Sequence, residues 1–169
     1  MKKIFLAAAA LILLSGAAMA NTNDHSPKSK KASYKALQNF PYDFQQADNV
    51  NWNMVGDYSE ASFTLNGVAM KAFYDWDGNL AGTSQTMQYN DLPAPARKSI
   101  DKYYKEYSIQ KIILYQDNEE NENDLYPLIP EESSINYFVS MTKNGSTEEI
   151  ILQVTPNGQT SFFENMPGK

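Results

Sequence analysis

Two Asn-Gly pairs, each lying between runs of alternating apolar and polar residues, constrain the fold of this chain more than any other feature. Asn66-Gly67 and Asn144-Gly145 are the residue pair that most favours a two-residue turn between antiparallel strands. Alternation with a period of two is typical of strands that bury one face. The chain is therefore predicted to contain two antiparallel hairpins, each with one apolar face.

A two-residue turn also fixes which residues of the two strands face each other. The first hairpin is expected to pair Leu65 with Val68, Phe63 with Met70, Ala61 with Ala72, and Ser59 with Tyr74. The second is expected to pair Met141 with Glu148, Val139 with Ile150, Tyr137 with Leu152, and Ile135 with Val154. In each hairpin these pairs form a mostly apolar face, as in an antiparallel sheet that is covered on one side.

A helix is predicted at the start of each half of the chain. Tyr34, Leu37 and Phe40 lie three residues apart on one side of a first helix, which Pro41 would interrupt or end. Asp91 is a suitable N-cap for a second helix. Residues then recur at helical spacing, and we expect the three tyrosines among them to pack against the sheet: Leu92, Ala96, Ile100, Tyr103, Tyr104 and Tyr107.

The order of elements is the same in both halves: a helix, a strand, a hairpin, a glycine-containing turn and a last strand. We therefore predict an α+β fold made of two tandem helix-plus-four-strand repeats, at about residues 33–89 and 90–165. The repeats are expected to form a curved antiparallel sheet with helices on one face. Direct sequence identity between the halves is slight, so the repetition is one of pattern.

The first 20 residues have the three parts of a secretory signal. Lys2 and Lys3 precede an apolar run over residues 4–14, and Ala18-Met19-Ala20 provides small residues for cleavage. The apolar run is too short for a membrane-spanning helix, which needs roughly 20 apolar residues. We expect a signal peptide (1–20), a polar linker (21–32) and one domain (33–169), located in the periplasm or outside the cell after cleavage at about Ala20, without membrane insertion.

Motifs in both halves resemble the PepSY-like secreted proteins of Bacteroidetes-type bacteria, a family similar in fold to beta-lactamase-inhibitor protein. The motifs that carry the resemblance are Val50-x-Trp52, Tyr58-x-x-Ala61-x-Phe63, Tyr74-Asp75-x-Asp77-Gly78, Leu92-Pro93, Ile100 and Tyr107-x-Ile109. The resemblance covers residues 34–164. It implies helices on the convex side of a curved sheet and a concave face that is free to bind a protein, and it brings no catalytic residues.

The residue inventory argues against an enzyme. The chain has no cysteine, and its one histidine, His25, lies in the predicted linker, so a Ser-His-acid or Cys-His arrangement lacks a base. The acidic balance, 20 Asp and Glu against 14 Lys and Arg, disfavours nucleic acid as a partner. We therefore expect a non-enzymatic protein without a cofactor.

Two segments of the chain contain enough acidic residues to be candidate cation sites. Residues 75–79 (Asp-Trp-Asp-Gly-Asn) do not fit a calcium loop, because Phe73 and Ser84 would occupy two of its ligand positions, so we interpret them as a tight turn. The acidic insertion 117–134 could gather a cation through Asp117, Glu119, Glu120, Glu122 and Asp124. It also contains an apolar stretch, residues 125–130. A periplasmic protein that binds a small ligand or calcium through this insertion is the alternative function.

The main functional hypothesis is a protein-binding surface on the open face of the sheet. On the predicted registers, apolar residues interrupt the polar faces of both hairpins, and Trp76 lies at a hairpin tip. We predict five partner-binding residues: Tyr58, Phe73, Trp76, Phe138 and Ile151. The alternatives are that helices or loops cover these positions as a minor core, or that they are scattered surface residues. The favoured function is an exported binding module that inhibits or regulates a secreted or envelope protein.

Overall fold

The computed structural model describes residues 32–118 and 135–166. The chain divides between Thr83 and Ser84 into two compact units, called unit 1 and unit 2. Unit 1 contains helix α1 (Tyr34–Asp43), strands β1 (Ala47–Val55), β2 (Tyr58–Leu65) and β3 (Val68–Tyr74), and the first half of β4 (Leu80–Thr86). Unit 2 contains the rest of β4, a 3-10 turn (Tyr89–Asp91), helix α2 (Ala94–Tyr103) and strands β5 (Tyr107–Asp117), β6 (Ile135–Lys143), β7 (Glu149–Val154) and β8 (Thr160–Met166).

The prediction of two tandem helix-plus-four-strand repeats is wrong. The strands form one eight-stranded antiparallel sheet in the order β1 to β8, and the described residues add two α-helices to it. β4 is an inner strand of this sheet, with Ala81 and Ser84 buried, and the division into units falls inside it. The repeats were inferred from the same order of elements in both halves, but β4 pairs with β5 within the sheet, so that order does not divide the sheet into two four-strand repeats.

The first hairpin has the predicted register. Leu65 faces Val68, and the pairing continues in step to Ser59 and Tyr74. Asn66 and Gly67 both have positive φ, 52° and 81°, as the two-residue turn requires.

The register of the second hairpin differs from the prediction by two residues. Val139 faces Leu152 and Met141 faces Ile150, whereas a two-residue turn would place Ile150 opposite Val139. Because side chains alternate with a period of two, this shift leaves the same residues on the apolar face. The face is therefore as predicted, although its pairs are not.

Contacts with the segment before β5 and at its start account for the longer turn. The backbone amide of Asn144 donates to the carbonyl of Glu106 at 2.7 Å, and Ser108 Oγ donates to Asn144 Oδ1 at 2.7 Å. In the described residues the non-glycine positions with positive φ are Asn49 and Asn66, so Asn144 does not adopt the conformation of the first turn. A hydrogen bond from the amide of Lys143 to the carbonyl of Glu148 closes this longer turn.

Helix α1 covers the apolar face of β2 and β3 with a different set of residues from the one predicted. Ala36 and Phe40 are buried, whereas Tyr34 and Leu37 are exposed. Because a helix rotates by about 100° per residue, each step of three residues falls about 60° short of a full turn, so Tyr34, Leu37 and Phe40 point in different directions. The four-residue step from Ala36 to Phe40 keeps these two side chains on one side of the helix. The Phe40 ring lies 5.0 Å from Phe63 between centroids, in an edge-to-face arrangement. The buried core of unit 1 consists of Ala36, Phe40, Ala61, Phe63, Ala72 and Tyr74.

In unit 2, helix α2 covers the apolar face of β6 and β7. It begins after Pro93, while the carboxylate of Asp91 instead accepts a hydrogen bond from the amide of Gln88 at 2.7 Å. The buried core consists of Leu92, Ala96, Ile100, Ile112, Val139, Met141, Ile150, Leu152 and Val154. Tyr104 and Tyr107 pack against it, but the prediction that the helix carries all three tyrosines is wrong. The helix ends at Tyr103, which is exposed, and Tyr107 begins β5.

Gly78, in the turn between β3 and β4, lies close against the backbone of α1. Its φ is +79°, and a Cβ atom built on it would lie 2.6 Å from the Cβ of Lys35 and 2.9 Å from its carbonyl carbon. Any larger residue would have to move the helix backbone. Glycine is therefore required here both for its conformation and for its size.

We expect Gly78→Ala to destabilise the protein more than Gly67→Ala. Both alanines would adopt a positive φ, which costs about 1–2 kcal/mol, but Gly67 has no atom within 4 Å of the added Cβ. The displacement of α1 should lower the free energy of unfolding of Gly78→Ala by about 1–3 kcal/mol more. Urea denaturation followed by circular dichroism measures both, and equal losses would show that the close approach is not a constraint.

Candidate functional site

Trp76 lies at the tip of a turn that is held firmly against α1. We call residues 75–79 the Trp76 turn. Within it the carboxylate of Asp75 accepts hydrogen bonds from the backbone amide and the side-chain amide of Asn79, at 2.8 and 2.9 Å. The Trp76 side chain is 56% exposed. An exposed aromatic residue is thus carried by a turn whose own side chains brace it.

Three side chains from Ser33 and α1 fix the Trp76 turn from outside. Ser33 Oγ donates to the carbonyl of Trp76 at 3.2 Å, and Asn39 Nδ2 donates to the carbonyl of Gly78 at 2.7 Å. Lys35 Nζ pairs with Asp77 Oδ1 at 2.8 Å. The hydrogen bond and charge of Lys35 hold the pKa of Asp77 below its usual value.

The sheet face of unit 1 opposite α1 contains a buried ion pair. Glu60 Oε1 accepts hydrogen bonds from Lys71 Nζ at 2.9 Å and from Ser62 Oγ at 3.2 Å. The side chains of Glu60 and Lys71 are 5% and 25% exposed, and Glu60 Oε2 is buried with no hydrogen-bond partner among the described residues. Phe73 faces Glu60 across the strands and is 3% exposed, while Tyr58 is half-buried. This face is therefore packed rather than open at Glu60 and Phe73.

The two predicted binding residues of unit 2 are also buried. Phe138 is 5% exposed and Ile151 is fully buried. The Phe138 ring lies 4.9 Å from Phe163 and 6.4 Å from Tyr115 between centroids. These positions form a second apolar layer, the alternative that the sequence left open.

Trp76, at 56%, is thus the one exposed member of the five predicted residues, and Tyr58 retains part of its surface. Phe73, Phe138 and Ile151 present no appreciable surface to a partner in this conformation.

The sequence reasoning missed the exposure of Tyr34 and Tyr42, which α1 carries on its outer side. Helical spacing counted from Phe40 in steps of four would have placed Tyr34 outside the core.

A tyrosine-lined depression of about 450 Å³ lies at the C-terminal end of α2 in unit 2. We call it the tyrosine pocket; its principal lining residues are Tyr89, Ile100, Asp101, Tyr104, Tyr107 and Met141. The rings of Tyr104 and Tyr107 meet at 70° with centroids 5.7 Å apart. The sequence predicts core packing for Tyr104 and Tyr107, and the structure shows that the two residues also line this depression.

The hydroxyl of Tyr89 donates to Asp101 Oδ1 at 2.6 Å. Partial burial and this hydrogen bond raise the pKa of Tyr89 to about 12, although the charge of Arg97 opposes the shift. In unit 1 burial raises the pKa of Tyr74 further, and its hydrogen bond to Asp43 at 2.8 Å adds to the effect. Both phenols therefore keep their protons at a pH where an exposed tyrosine ionises.

The described residues include only part of the two acidic segments that the sequence offers as cation sites. Within residues 32–118 and 135–166, no three His, Cys, Asp or Glu side chains converge in a way that could hold a metal ion. Asp75 and Asp77 are engaged in the turn and with Lys35. In the acidic insertion 117–134, residues 119–134 lie outside the described residues, as do the signal peptide 1–20, His25, and the proposed ligands Glu119, Glu120, Glu122 and Asp124.

No helix in the described part of the chain has the length and apolar character that crossing a membrane requires.

Comparisons with known proteins establish the fold. A DUF2874 family protein from Bacteroides uniformis matches with a TM-score of 0.63 and 14% identity, over 80% of this chain and 88% of that one. A BLIP-like protein from Bacteroides fragilis matches with a TM-score of 0.62 and 14% identity, over 86% and 91%. A protein from Bacteroides eggerthii, provisionally described as periplasmic, matches with a TM-score of 0.62 and 13% identity, over 80% and 88%.

The chain therefore has a BLIP-like fold. No protein-family model matches the sequence, so membership in the PepSY-like family is not shown. No curated protein matches it either. The three structural descriptions name no enzymatic activity.

We expect Lys71→Met to destabilise the protein by about 3 kcal/mol, because it leaves the Glu60 carboxylate buried without its ammonium partner. Lys35→Met is the matched control, since it removes an exposed ion pair that contributes less than about 1 kcal/mol. Chemical denaturation of both variants measures the difference. Equal small losses would mean that water solvates Glu60 in the folded protein.

The raised tyrosine pKa values predict a loss of stability in alkaline solution. The folded state holds these protons more tightly than the unfolded chain, so the stabilisation is complete below pH 10 and declines as the pH rises towards 12 for Tyr89. Tyr89→Phe should lose stability less steeply over this range. Urea midpoints measured from pH 8 to pH 12 test this, and parallel curves for the parent and the variant would contradict it.

Proposed function

We propose that this chain is an exported, non-enzymatic binding module that recognises another protein in the cell envelope or outside the cell. The observation that carries the proposal is the exposure of Trp76 on a braced turn. Tryptophan is among the residues most enriched at the energetic centres of protein interfaces. The BLIP-like fold supports a binding role by analogy alone.

Preorganisation is the physical argument for Trp76. Ordering a flexible loop on binding costs conformational entropy, which lowers affinity. Here Ser33, Lys35 and Asn39 already hold the turn in the unbound protein. The indole can therefore transfer its apolar surface to a partner at little further cost in backbone order.

The position of the binding surface is revised by the burial of three predicted residues. Phe73, Phe138 and Ile151 stabilise the free protein by packing, so we place the principal contact at Trp76. Tyr58 remains a candidate for a secondary contact on the sheet face, because it is half-buried. By binding, the chain would regulate its partner, and inhibition of the partner is one form of such regulation.

Export is supported by the composition of residues 1–20 and by the periplasmic description of a structural neighbour. Cleavage at about Ala20 would release the described domain in soluble form. The partner would then be encountered in the same compartment.

We expect Trp76→Ala to weaken binding of the partner by at least about 30-fold, the loss expected of an interface hot spot. A photo-crosslinking amino acid in place of the exposed Tyr34, which follows the Ser33 that bonds to Trp76, identifies the partner in cells that express the chain. A titration with the purified partner then gives the affinity. Phe162→Ala is the matched control, because Phe162 is 58% exposed and lies on β8. Equal affinities for Trp76→Ala and the parent would refute the placement.

Fluorescence gives an independent readout. The chain has two tryptophans, so Trp52→Phe leaves Trp76 as its sole tryptophan, which can be excited selectively over the tyrosines. Binding at Trp76 should shift its emission to shorter wavelength as water is excluded from the indole. An unchanged spectrum at saturating partner would place the interface elsewhere.

A further inference from the structure

The tyrosine pocket combines an apolar floor with aromatic walls. Ile100 and Met141 are buried beneath it and belong to the core of unit 2, so the floor is fixed by packing. Tyr89, Tyr104 and Tyr107 present aromatic surface around this floor. The depression is open to solvent on one side, which suits a side chain that enters from another polypeptide.

Three features of the pocket favour a positive charge. Asp101 contributes a carboxylate, of which Oδ1 accepts the hydrogen bond of Tyr89 while Oδ2 remains as a further acceptor. Helix α2 ends at Tyr103, so the partial negative charge of its C-terminus lies beside Asp101. The faces of tyrosine rings carry negative electrostatic potential and attract cations.

Lys105 is the one lining residue of opposite sign, and it is exposed. Its long flexible stem lets the ammonium group stay in water while a second cation occupies the pocket. The net charge of the chain, −6, favours basic partners in general. The overall charge favours a cation, whereas Asp101 and Lys105 give the described lining one charge of each sign, so the local preference depends on the position of Asp101 and of the tyrosine rings.

We propose that the tyrosine pocket binds an arginine side chain of a partner polypeptide. The apolar stem of arginine matches the floor of Ile100 and Met141, and its planar guanidinium stacks on tyrosine while donating to Asp101. Lysine offers one point charge and no planar surface, so it binds more weakly. The site lies in unit 2 and does not depend on Trp76, which belongs to unit 1.

The test is a titration of the ¹⁵N-labelled chain with the blocked peptide acetyl-Gly-Arg-Gly-amide, followed by backbone amide shifts. Saturable shifts are expected around Tyr104, Tyr107 and Met141, with a Kd on the order of 1 mM for a single side chain. The matched peptide contains citrulline, which has nearly the same shape as arginine and no charge. It should bind at least about tenfold more weakly.

Two variants separate the pocket from the general acidity of the chain. Asp101→Asn retains an acceptor for Tyr89 and should weaken the arginine peptide about tenfold. Glu106→Gln removes the same charge from a neighbouring exposed residue that does not line the pocket, and should leave Kd unchanged. The dispersion of each spectrum shows that the variant is folded.

Equal affinity for arginine and citrulline, equal losses in the two variants, or no shifts at the pocket would each overturn the proposal. Preference for citrulline would point to a neutral polar ligand. None of these results bears on Trp76, whose own test uses the crosslinked partner.

Discussion

The close approach of a glycine turn to a helix is the constraint on which unit 1 depends. With no side chain at Gly78, the backbone of the turn reaches Lys35 and Ala36, and α1 can lie against the sheet. Phe40, one turn after Ala36, then enters the core and meets Phe63 edge to face. The same contact brings Asn39 within hydrogen-bonding distance of the turn. Core packing and the orientation of Trp76 thus follow from one small residue.

Unit 2 has a comparable contact between the turn that contains Gly158 and the start of α2. A Cβ on Gly158, whose φ is +85°, would lie 3.0 Å from Pro95 Cβ and 3.1 Å from the amide nitrogen of Ala96. Ala96 itself is fully buried. The start of each ten-residue helix is therefore packed closely against a glycine turn, which helps to hold a helix that is too short to be stable alone.

The sequence predicts local geometry well where a single turn determines it. Asn66-Gly67 adopts the expected conformation, and every predicted pair of the first hairpin follows. Asn144-Gly145 has the same two residues, but contacts from Glu106 and Ser108 hold Asn144 in another conformation and shift the register by two. Those residues lie more than 35 positions away, so no local pattern could report them.

The candidate site was harder to predict than the hairpins, because exposure depends on what covers a residue. Phe73 and Phe138 lie on the face that the sequence predicts to be polar, and both are buried. Alternation shows that two faces differ but not that either one is open. Trp76 was identified correctly as a residue at a tip, where few elements can cover it.

The burial of Glu60 shows that the sheet face of unit 1 opposite α1 is packed and must neutralise a charge. A carboxylate that is 5% exposed needs a cation, and Lys71 supplies one across the β2–β3 ladder while keeping a quarter of its own side chain in water. An isolated charge on a solvated strand would need no such partner. The ion pair thus marks a face that is packed around its charge, which is why we propose recognition at parts of the molecule that packing leaves exposed: the Trp76 turn in unit 1 and the tyrosine pocket in unit 2.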